Sequence, residues 1–557
     1  MKDEDASQLV PQYNVAIVCK DMDKDKDMPL HNYNNNINST TNTNTNTNSN
    51  STTKCDKTDE VTVVRPPKPL GERSKAVWRQ QLMVFLGNSG VIGSGMIIAM
   101  PAVTLAQLTN PELDFTLNSN EASWFASINN MACPIGGLLV SYFLDRIGRK
   151  NTILLTNLIG FLSWLLLITC FQHTERDWIY AQLLIARALG GVMIGMFLSP
   201  VGVYSAEISL PRIRGRLILG TSIALACGIL IMYVLGYFIR SNIVLISTIC
   251  GCYQFVSTLM VFPMPESPSW LLQKGRTENA RRSLKYFRGL KRKSDDCVQE
   301  FETELAEMKV NADNSRNTAA SESLLQAIRR PEVYKPVFLI IGFFGFQQAC
   351  GVVVIIVYAV QIAQRAGVTI DPVLVAVMLG VARIIMTFFM STIFERWGRK
   401  PSGMFSAFGM GLCMLLLAAG GWWPKTVGTW SWLPVVCIVA HIVFSTMGML
   451  TLPFLMISEV FPQRARGSAS GISVFFGMIL AFIMLKIYPN MEEAFGTANL
   501  FGFYAGVSFL AVAFIWCFVP ETRGRTLLEI EEYWRTGKGE RANNLKDVEL
   551  TEVFLKK

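Results

Sequence analysis

Charged residues and histidines are scarce in this sequence, and their scarcity excludes several classes of protein. Only 17% of the 557 residues are Asp, Glu, Lys or Arg, and three are His, whereas a soluble domain carries about 25% charged residues. The 12 cysteines lack metal-ligand spacing, since Cys250 and Cys252 form only a CxC within an apolar run. No nucleophile–base pair, phosphate-binding loop or metal cluster is recognisable. We therefore expect neither an enzyme nor a bound cofactor.

Long uncharged segments dominate the rest of the chain. Residues 153–171 and 243–263 contain no Asp, Glu, Lys or Arg, and a helix needs about 20 apolar residues to cross a bilayer. A buried helix of a large soluble enzyme is the alternative, but such helices rarely recur a dozen times. We predict an all-α polytopic membrane protein with 12 transmembrane helices in two six-helix halves. The predicted helices lie at 81–104, 122–144, 152–171, 178–204, 216–238, 243–263, 336–362, 372–394, 402–422, 432–458, 468–488 and 499–519.

Polar segments divide the chain further. An Asn/Thr-rich tract near the N-terminus is too polar to bury a core, so a disordered tail is expected there. A charged linker between the halves contains two short amphipathic helices, predicted at 276–290 and 298–308. The expected regions are the N-terminal tail at 1–74, the first half at 75–265, the linker at 266–335, the second half at 336–520 and the C-terminal tail at 521–557.

Basic residues collect in one set of loops, and this asymmetry predicts the orientation. The net charge is +9, and Lys and Arg concentrate in loops such as 145–150, 211–216, 395–400 and 462–467. Loops rich in Lys and Arg stay on the cytoplasmic side of a membrane. Both termini are therefore expected in the cytoplasm, and the partner of the positive charge is expected to be the lipid bilayer and not nucleic acid.

The two halves repeat each other. The segment from Asp145 to Lys150 (DRIGRK) recurs from Glu395 to Lys400 (ERWGRK), 250 residues later. Glu207 recurs as Glu459 with an offset of 252, and a Pro-Glu pair recurs with an offset of 255. Parallel six-helix halves are a known transporter plan, in which the solute site lies near the midplane between the halves.

These motifs resemble those of the sugar-porter family of the major facilitator superfamily. The resemblance covers about residues 80–535, and Glu121-Ala-Ser-Trp124 is similar to the insect facilitated trehalose transporter branch. It implies a solute transporter of the cell membrane that functions as a monomer. The motifs that carry it are Arg187-Ala-Leu-Gly190, Pro265-Glu-Ser-Pro268, Phe346-Gln-Gln348 with Gly351 and Tyr358, and Pro520-Glu-Thr-Arg-Gly524.

The resemblance also implies a gate at the cytoplasmic ends of the helices. Arg149 and Arg399 are expected to pair with glutamates of their own half, to hold the cytoplasmic ends together, and to release them when the cavity opens inward. Ordinary solvated helix caps are the alternative. The candidate gate residues are Asp145, Arg146, Arg149, Glu207, Arg214, Glu266, Glu395, Arg396, Arg399, Glu459, Arg466 and Glu521.

The candidate solute contacts begin with Gln347 and Gln348. An amide within a membrane helix is costly unless it faces a cavity or a partner helix, and it can both donate to and accept from sugar hydroxyls. Hydrogen bonds between helices are the alternative. The resemblance adds Tyr358, and it adds Phe454 at a position where the family usually has Trp.

Several family positions are substituted, which leaves the substrate open. Val353 replaces an Asn, Ser222 replaces a Gln, and Gly477 stands where an Asn is usual. Loss of hydrogen-bonding groups changes selectivity for hydroxylated solutes. Trehalose or a hexose, another polyol, and an organic anion all remain candidates, as does a solute sensor that conducts little.

Arg383 and the first helix bear on charge and coupling. Arg383 is predicted near the midplane, where it either reaches a backbone carbonyl or water, or faces the cavity and attracts an anion. The first predicted helix contains no Asp or Glu. Because a proton relay needs a titratable group in the membrane, we expect facilitated diffusion with alternating access.

Overall fold

The computed structural model describes the helical part of the chain. Residues 1–73 and 537–557, which hold the predicted N-terminal tail and most of the predicted C-terminal tail, lie outside the described residues. The residues it does describe are almost all helical and include no strand. They are 74–109, 115–197, 199–240, 242–290, 298–319, 330–368, 370–422, 432–462, 466–525 and 527–536.

The first half consists of long helices with one interruption. The helix predicted at 178–204 ends at Phe197, and a new helix starts at Pro200. Pro200 has no N–H and cannot donate the main-chain hydrogen bond that would continue α4, whereas proline is accepted in the first turn of a new helix. The helices are α1 (Ser74–Leu108), α2 (Ser119–Ile147), α3 (Arg149–Thr169), α4 (Arg176–Phe197), α5 (Pro200–Ile208), α6 (Pro211–Phe238) and α7 (Ile243–Val261).

The linker forms short helices that attach to the first half. The predicted helices at 276–290 and 298–308 correspond to two of them. Gln80 of α1 donates to the Phe287 carbonyl at 3.1 Å, and the Trp270 indole donates to the Asp145 carbonyl at 3.1 Å. The helices are α8 (Pro268–Gln273), α9 (Thr277–Phe287) and α10 (Val298–Ala319).

The second half repeats this arrangement with a more divided seventh span. A short amphipathic helix follows its last span, and Lys335 near the start of the half donates to the Trp534 carbonyl of that helix at 3.2 Å. The helices are α11 (Pro331–Ala349), α12 (Val352–Val357), α13 (Ala359–Arg365), α14 (Pro372–Trp397), α15 (Arg399–Trp422), α16 (Leu433–Met447), α17 (Leu452–Val460), α18 (Arg466–Phe495), α19 (Thr497–Phe518) and α20 (Leu527–Thr536).

Gly351 breaks the helix predicted at 336–362. Its φ is 83°, in the left-handed region, and a Cβ there would lie 3.1–3.3 Å from ring carbons of Tyr504. A residue with a side chain is disfavoured on both counts. Gly351 therefore separates α11 from α12, and a second break at Tyr358, which has φ of −111° and ψ of 24°, separates α12 from α13.

Pro101 lies inside α1, and a buried arginine compensates for it. Proline has no N–H, so the carbonyl four residues earlier loses its helical partner. That carbonyl belongs to Ile97, and the Arg187 guanidinium of α4 donates to it at 2.7 Å. The arginine thus restores a hydrogen bond that the helix cannot make for itself.

The predicted end of the helix at 468–488 is wrong, because α18 continues for six residues past Pro489. Pro489 leaves the carbonyl of Leu485 without its helical partner. The Tyr358 hydroxyl donates to that carbonyl at 3.3 Å. A proline normally signals a boundary in sequence, but here another helix supplies the missing donor.

The helices are suited to a membrane. Ten of them, counting α4 with α5 and α16 with α17 as continuous spans, are long and apolar enough to cross a bilayer by length and composition. The other two predicted spans are α2, which is 29 residues long but carries several Asn and Ser side chains, and the divided segment α11–α13. The chain is thus a multi-pass membrane protein.

The two halves meet mainly along two pairs of helices, and α1 also contacts α12 and α13. α2 packs against α18, and α6 packs against α14. Small residues permit the close approach: a Cβ on Gly380 of α14 would lie 2.9 Å from Leu230 Cδ1 and 3.1 Å from Leu230 Cα of α6. Small residues at such crossings let helix backbones approach each other closely in membranes.

Candidate functional site

In the first half, Arg149 forms the centre of a polar cluster at the start of α3. Its Nε donates to both Glu207 oxygens at 3.1 Å, and its Nη2 donates to Oε1 at 2.8 Å. Its Nη1 donates to the Leu144 carbonyl at 3.1 Å, and the Ser267 hydroxyl also bonds to Glu207. The side chains of Arg149 and Glu207 are 8% and 17% exposed, so the pair is shielded from water and forms a strong fork.

Glu266 caps the same helix from a distance in sequence. Its carboxylate accepts from the main-chain N–H groups of Arg149 at 2.9 Å and Lys150 at 3.2 Å, which are otherwise unpaired at a helix start. Burial raises the pKa of the Glu266 carboxyl, although these hydrogen bonds favour its charged form. Gly148 before the helix has φ of 94°, and a Cβ there would lie 2.4 Å from Glu266 Oε2.

The second half contains the same cluster. Arg399 Nε donates to both Glu459 oxygens at 3.2 Å, and its Nη2 donates to Oε1 at 2.6 Å. Its Nη1 donates to the Phe394 carbonyl. The Thr522 hydroxyl bonds to Glu459, as Ser267 bonds to Glu207 in the first half. Glu521 accepts from the main-chain N–H groups of Arg399 and Lys400, each at 3.0 Å. We call the end of the molecule that holds these two clusters the Arg-rich face.

Six of the twelve candidate gate residues therefore come together, three in each half. Arg214 and Arg466 instead donate to main-chain carbonyls, of Ser209 at 3.4 Å and Phe461 at 3.3 Å. Each Arg–Glu pair joins residues of the same half: Arg149 and Glu207 in the first half, and Arg399 and Glu459 in the second. That they hold the two halves together and release them on opening stays a prediction.

The remaining candidate gate residues lie outside the clusters. Arg146 bonds to the hydroxyl of Tyr142 and lies over its ring. Asp145 and Arg396 contribute main-chain carbonyls, to the Trp270 indole and the Arg523 guanidinium respectively. The side chain of Glu395 lies outside the described residues.

Among the described residues, polar contacts between side chains of the two halves occur at the other end, which we call the opposite face. Lys486 of α18 donates to Asn120 Oδ1 at 2.6 Å and to Ser123 Oγ at 2.7 Å, and lies 4.6 Å from the centre of the Trp124 ring. Arg240, just after α6, pairs with Asp371 at the start of α14. The halves are thus joined at the opposite face in this conformation, and sequence reasoning missed these contacts.

The two candidate amides lie at the end of α11, beside the break at Gly351. Gln347 and Gln348 are 2% and 4% exposed. Gln347 Nε2 donates to the Leu450 carbonyl at 3.0 Å, and Gln348 Nε2 lies 3.4 Å from Gln347 Oε1. Gln348 Oε1 is buried and has no partner among the described residues. One amide thus bonds to a neighbouring segment, and the other keeps a free acceptor.

The two aromatic candidates differ in their surroundings. Tyr358 is 2% exposed, and its hydroxyl donates to the Leu485 carbonyl, which lacks a helical partner because of Pro489. The centre of its ring lies 4.6 Å from that of Tyr488. Phe454 is 38% exposed and packs edge-on against Phe344 at 5.2 Å. Gly477 leaves room for this pair, since a Cβ there would lie 2.8 Å from the Phe344 ring.

Two arginines lie within the membrane-spanning helices, in contrasting surroundings. Arg187 is 1% exposed and donates to the carbonyls of Ile97 at 2.7 Å and Phe125 at 3.2 Å. Arg383 of α14 is partly exposed, and no described residue accepts a hydrogen bond from its guanidinium. Arg187 belongs to one of the motifs that carry the family resemblance, but its carbonyl partners were not predictable. Within the described residues, no group of His, Cys, Asp and Glu could hold a metal ion.

Comparison with known proteins places the chain in a family. The model of the family described as "Sugar (and other) transporter" matches residues 79–534. The facilitated trehalose transporter Tret1 of Polypedilum vanderplanki is 31% identical over 80% of this chain and 85% of its own length. Tret1 of Drosophila mojavensis and of Aedes aegypti are each 30% identical over 82% of this chain. The chain spans only 51% and 55% of the length of those two relatives.

Solved structures agree on the fold. The inward-open conformation of the xylose transporter XylE from E. coli aligns with a TM-score of 0.67 and 21% identity, over 81% of this chain and 99% of that one. The proton:xylose symporter XylE bound to 6-bromo-6-deoxy-D-glucose aligns with a TM-score of 0.65 and 22% identity, over 82% and 99%. The predicted major facilitator fold is confirmed, and the chain belongs to the Sugar (and other) transporter family of membrane transporters.

Proposed function

We propose that this protein carries a small polar solute, with trehalose or a hexose as the first candidates, across the cell membrane. The observation that carries the proposal is the pair of buried amides at the end of α11, of which Gln348 Oε1 has no protein partner among the described residues. A sugar hydroxyl would donate to this oxygen, and the amide N–H groups would donate to neighbouring hydroxyls. The names of the relatives support a sugar as the solute class.

The transport is facilitated diffusion. α1 contains no Asp or Glu, so it lacks the carboxylate that a proton relay in this helix requires. Arg187, which lies beside α1, donates instead to two main-chain carbonyls. A cationic side chain held by neutral carbonyls has no proton-accepting partner, which supports movement driven by the solute gradient alone.

Alternating access follows from the distribution of contacts. In this conformation the contacts of Lys486 and the Arg240–Asp371 pair join the halves at the opposite face, while each Arg–Glu cluster fixes the helix ends of one half. We place the Arg-rich face in the cytoplasm, because Lys and Arg concentrate there. Rocking of one half against the other would then exchange opposite-face contacts for contacts at the Arg-rich face.

Uptake of labelled trehalose and glucose tests the proposal in cells that lack transporters for these sugars, with the surface expression of the protein verified. Saturable uptake that persists after the proton gradient is collapsed is expected. Absence of uptake with the protein at the surface would exclude neutral sugars and leave the sensor alternative open.

A substitution of Gln348 tests the site itself. Gln348→Met preserves volume but removes the free acceptor, and we expect sugar uptake at low concentration to fall about tenfold, the effect of roughly one lost hydrogen bond. Gln182→Met is the matched control, because Gln182 is an engaged amide of α4 that bonds to Leu166 and Thr169. Equal uptake by the two variants would remove Gln348 from the solute site.

A further inference from the structure

The position of Arg383 is unusual for a charged residue. It lies 11 residues after the start of α14 and 14 before its end, which corresponds to about 17 Å and 21 Å along the helix. The guanidinium group therefore belongs near the middle of the membrane. A charge at that depth is costly and normally has a partner or a functional role.

The exposure pattern of α14 shows which way this residue points. Leu379 and Thr387, four residues before and after Arg383, are 3% and 4% exposed. Val381 and Ile385 are 42% and 53% exposed and define the side that faces lipid. Residues four apart lie on the same side of a helix, so Arg383 lies on the inner side of α14 and not on the lipid side.

The inner side of α14 meets the other half of the molecule. Gly380 abuts Leu230 of α6, and Arg383 is in electrostatic range of Tyr233, one turn further along α6. The Tyr233 hydroxyl donates to the Ile356 carbonyl of α12 at 2.8 Å. Arg383 thus lies on the side of α14 that packs against α6, at the junction between the halves.

No protein group in the described chain neutralises Arg383. Its guanidinium donates to no carboxylate there, and its electrostatic neighbour Tyr233 is uncharged. Arg187 shows how this protein holds an arginine for structural purposes, with two carbonyl acceptors, one of them freed by a proline. Arg383, in contrast, donates to no carbonyl among the described residues. An uncompensated charge in a low-dielectric region calls for an anion.

We propose that Arg383 is an anion-recognition point in the solute path, and that the preferred solute is a polyhydroxylated monoanion of the sugar-acid class. The inference rests on the proposed function, since Gln347 and Gln348 would hold the hydroxylated body. α12 starts four residues after Gln348 and ends beside Tyr233, and it is a helix of six residues or about 9 Å. A guanidinium pairs in a bidentate manner with one carboxylate, which fits a single negative charge.

A matched pair of solutes tests the inference. Glucose and glucuronate differ by a carboxylate in place of a primary alcohol, and uptake of each is measured in cells expressing the wild-type protein. We expect glucuronate to be preferred by at least about tenfold, the effect of one charged hydrogen-bonded pair. Glucuronate uptake should also increase with an inside-positive membrane potential, since each cycle moves one negative charge, whereas glucose uptake should not respond.

Substitutions of Arg383 test whether this residue produces the preference for glucuronate. Arg383→Gln should abolish the preference for glucuronate while glucose uptake persists, and Arg383→Lys should retain part of the preference. Arg282→Gln is the control, because Arg282 lies on the surface of α9 and its side chain is 75% exposed. This variant should change neither glucose uptake nor the preference for glucuronate.

The outcomes separate the two proposals. Glucose uptake with no glucuronate preference, unchanged in Arg383→Gln, would overturn the inference and leave sugar transport standing. Glucuronate uptake without glucose uptake would support the inference and exclude neutral sugars. Trehalose uptake without uptake of glucose or glucuronate would overturn the inference alone. Absence of uptake of trehalose, glucose and glucuronate, with the protein at the cell surface, would overturn both proposals.

Discussion

The Arg-rich face and the interior of the bundle differ in how faithfully the two halves repeat each other. At the Arg-rich face, Lys150 donates to the Phe262 carbonyl and Lys400 donates to the Trp516 carbonyl, both at 2.6 Å. Gly148 and Gly398 have φ of 94° and 89°. The duplication therefore extends to single hydrogen bonds and backbone angles.

In the interior the halves have diverged. By the offsets of the repeat, Arg383 corresponds to Cys133 and Arg187 corresponds to Val439. α1 is one continuous helix of 35 residues, whereas its counterpart is divided into α11, α12 and α13. The repeated parts occur in both halves and suit a scaffold, while the unrepeated parts contain the proposed solute contacts.

Removal of one cluster is expected to have the largest effect. Arg399→Ala leaves the mostly buried Glu459 carboxylate without its cation, at a cost of about 2–3 kcal/mol, and should favour the conformation open at the Arg-rich face. Glu459→Gln should act in the same direction. Thermal unfolding in detergent and uptake measure the two effects.

The equivalent change in the first half provides the comparison. Arg149→Ala should lower the melting temperature by a similar amount if the clusters are equivalent scaffolds. Normal trafficking and normal transport in Arg399→Ala would show that the cluster is not a gate, and a large difference between the two arginine variants would break the equivalence.

The break at Gly351 tests the unrepeated region. Gly351→Ala places a side chain at φ of 83° beside Tyr504, and we expect a loss of about 1–2 kcal/mol together with reduced uptake. Gly137→Ala in α2 is the matched control, because nothing lies within 4 Å of its added Cβ, and a helical Gly→Ala change is expected to stabilise by up to about 1 kcal/mol. Unaltered uptake in Gly351→Ala would show that transport does not require this break.

Removal of the hydrogen bonds of Lys486 is expected to have the smallest effect. Its counterpart in the first half is Val234, so the contact is not repeated. Lys486→Met removes hydrogen bonds to Asn120 and Ser123, and we expect opening at the opposite face to become about fivefold more frequent, or about 1 kcal/mol. Opening is measured as the rate of thiol labelling of the Ser127→Cys variant. Ser127 lies one turn after Ser123 along α2 and is fully buried.

This labelling needs a suitable background. The exposed Cys252 and Cys517 are replaced by serine beforehand, and Lys274→Met on the linker surface serves as the charge control. A labelling rate that is equal in Lys486→Met and Lys274→Met would mean that Lys486 does not hold the halves together.

Much of the fold was predictable because its causes are local or repeated. Apolar runs mark the spans, and the family resemblance implied that Arg149 and Arg399 pair with glutamates of their own half. The contact of Lys486 with Asn120 was not predictable, because it joins residues 366 positions apart and no pattern marks them.

The interior was harder to predict for another reason. The free acceptor of Gln348 and the carbonyl partners of Arg187 depend on which groups neighbouring helices present. Composition and spacing describe one helix at a time, so they identify a costly polar group in a membrane but not what compensates it. The structure shows two carbonyl acceptors for Arg187, whereas no described residue accepts a hydrogen bond from Arg383.

The hydrogen bond between Tyr358 and the Leu485 carbonyl links the evolution of two distant positions. Tyr358 is needed there because Pro489 removes an N–H from α18. In a relative with any other residue at position 489, the helix would satisfy its own carbonyl, and the tyrosine hydroxyl would be released. A single exchange on α18 could thus return a donor to the region around α12 without altering any residue that contacts the solute.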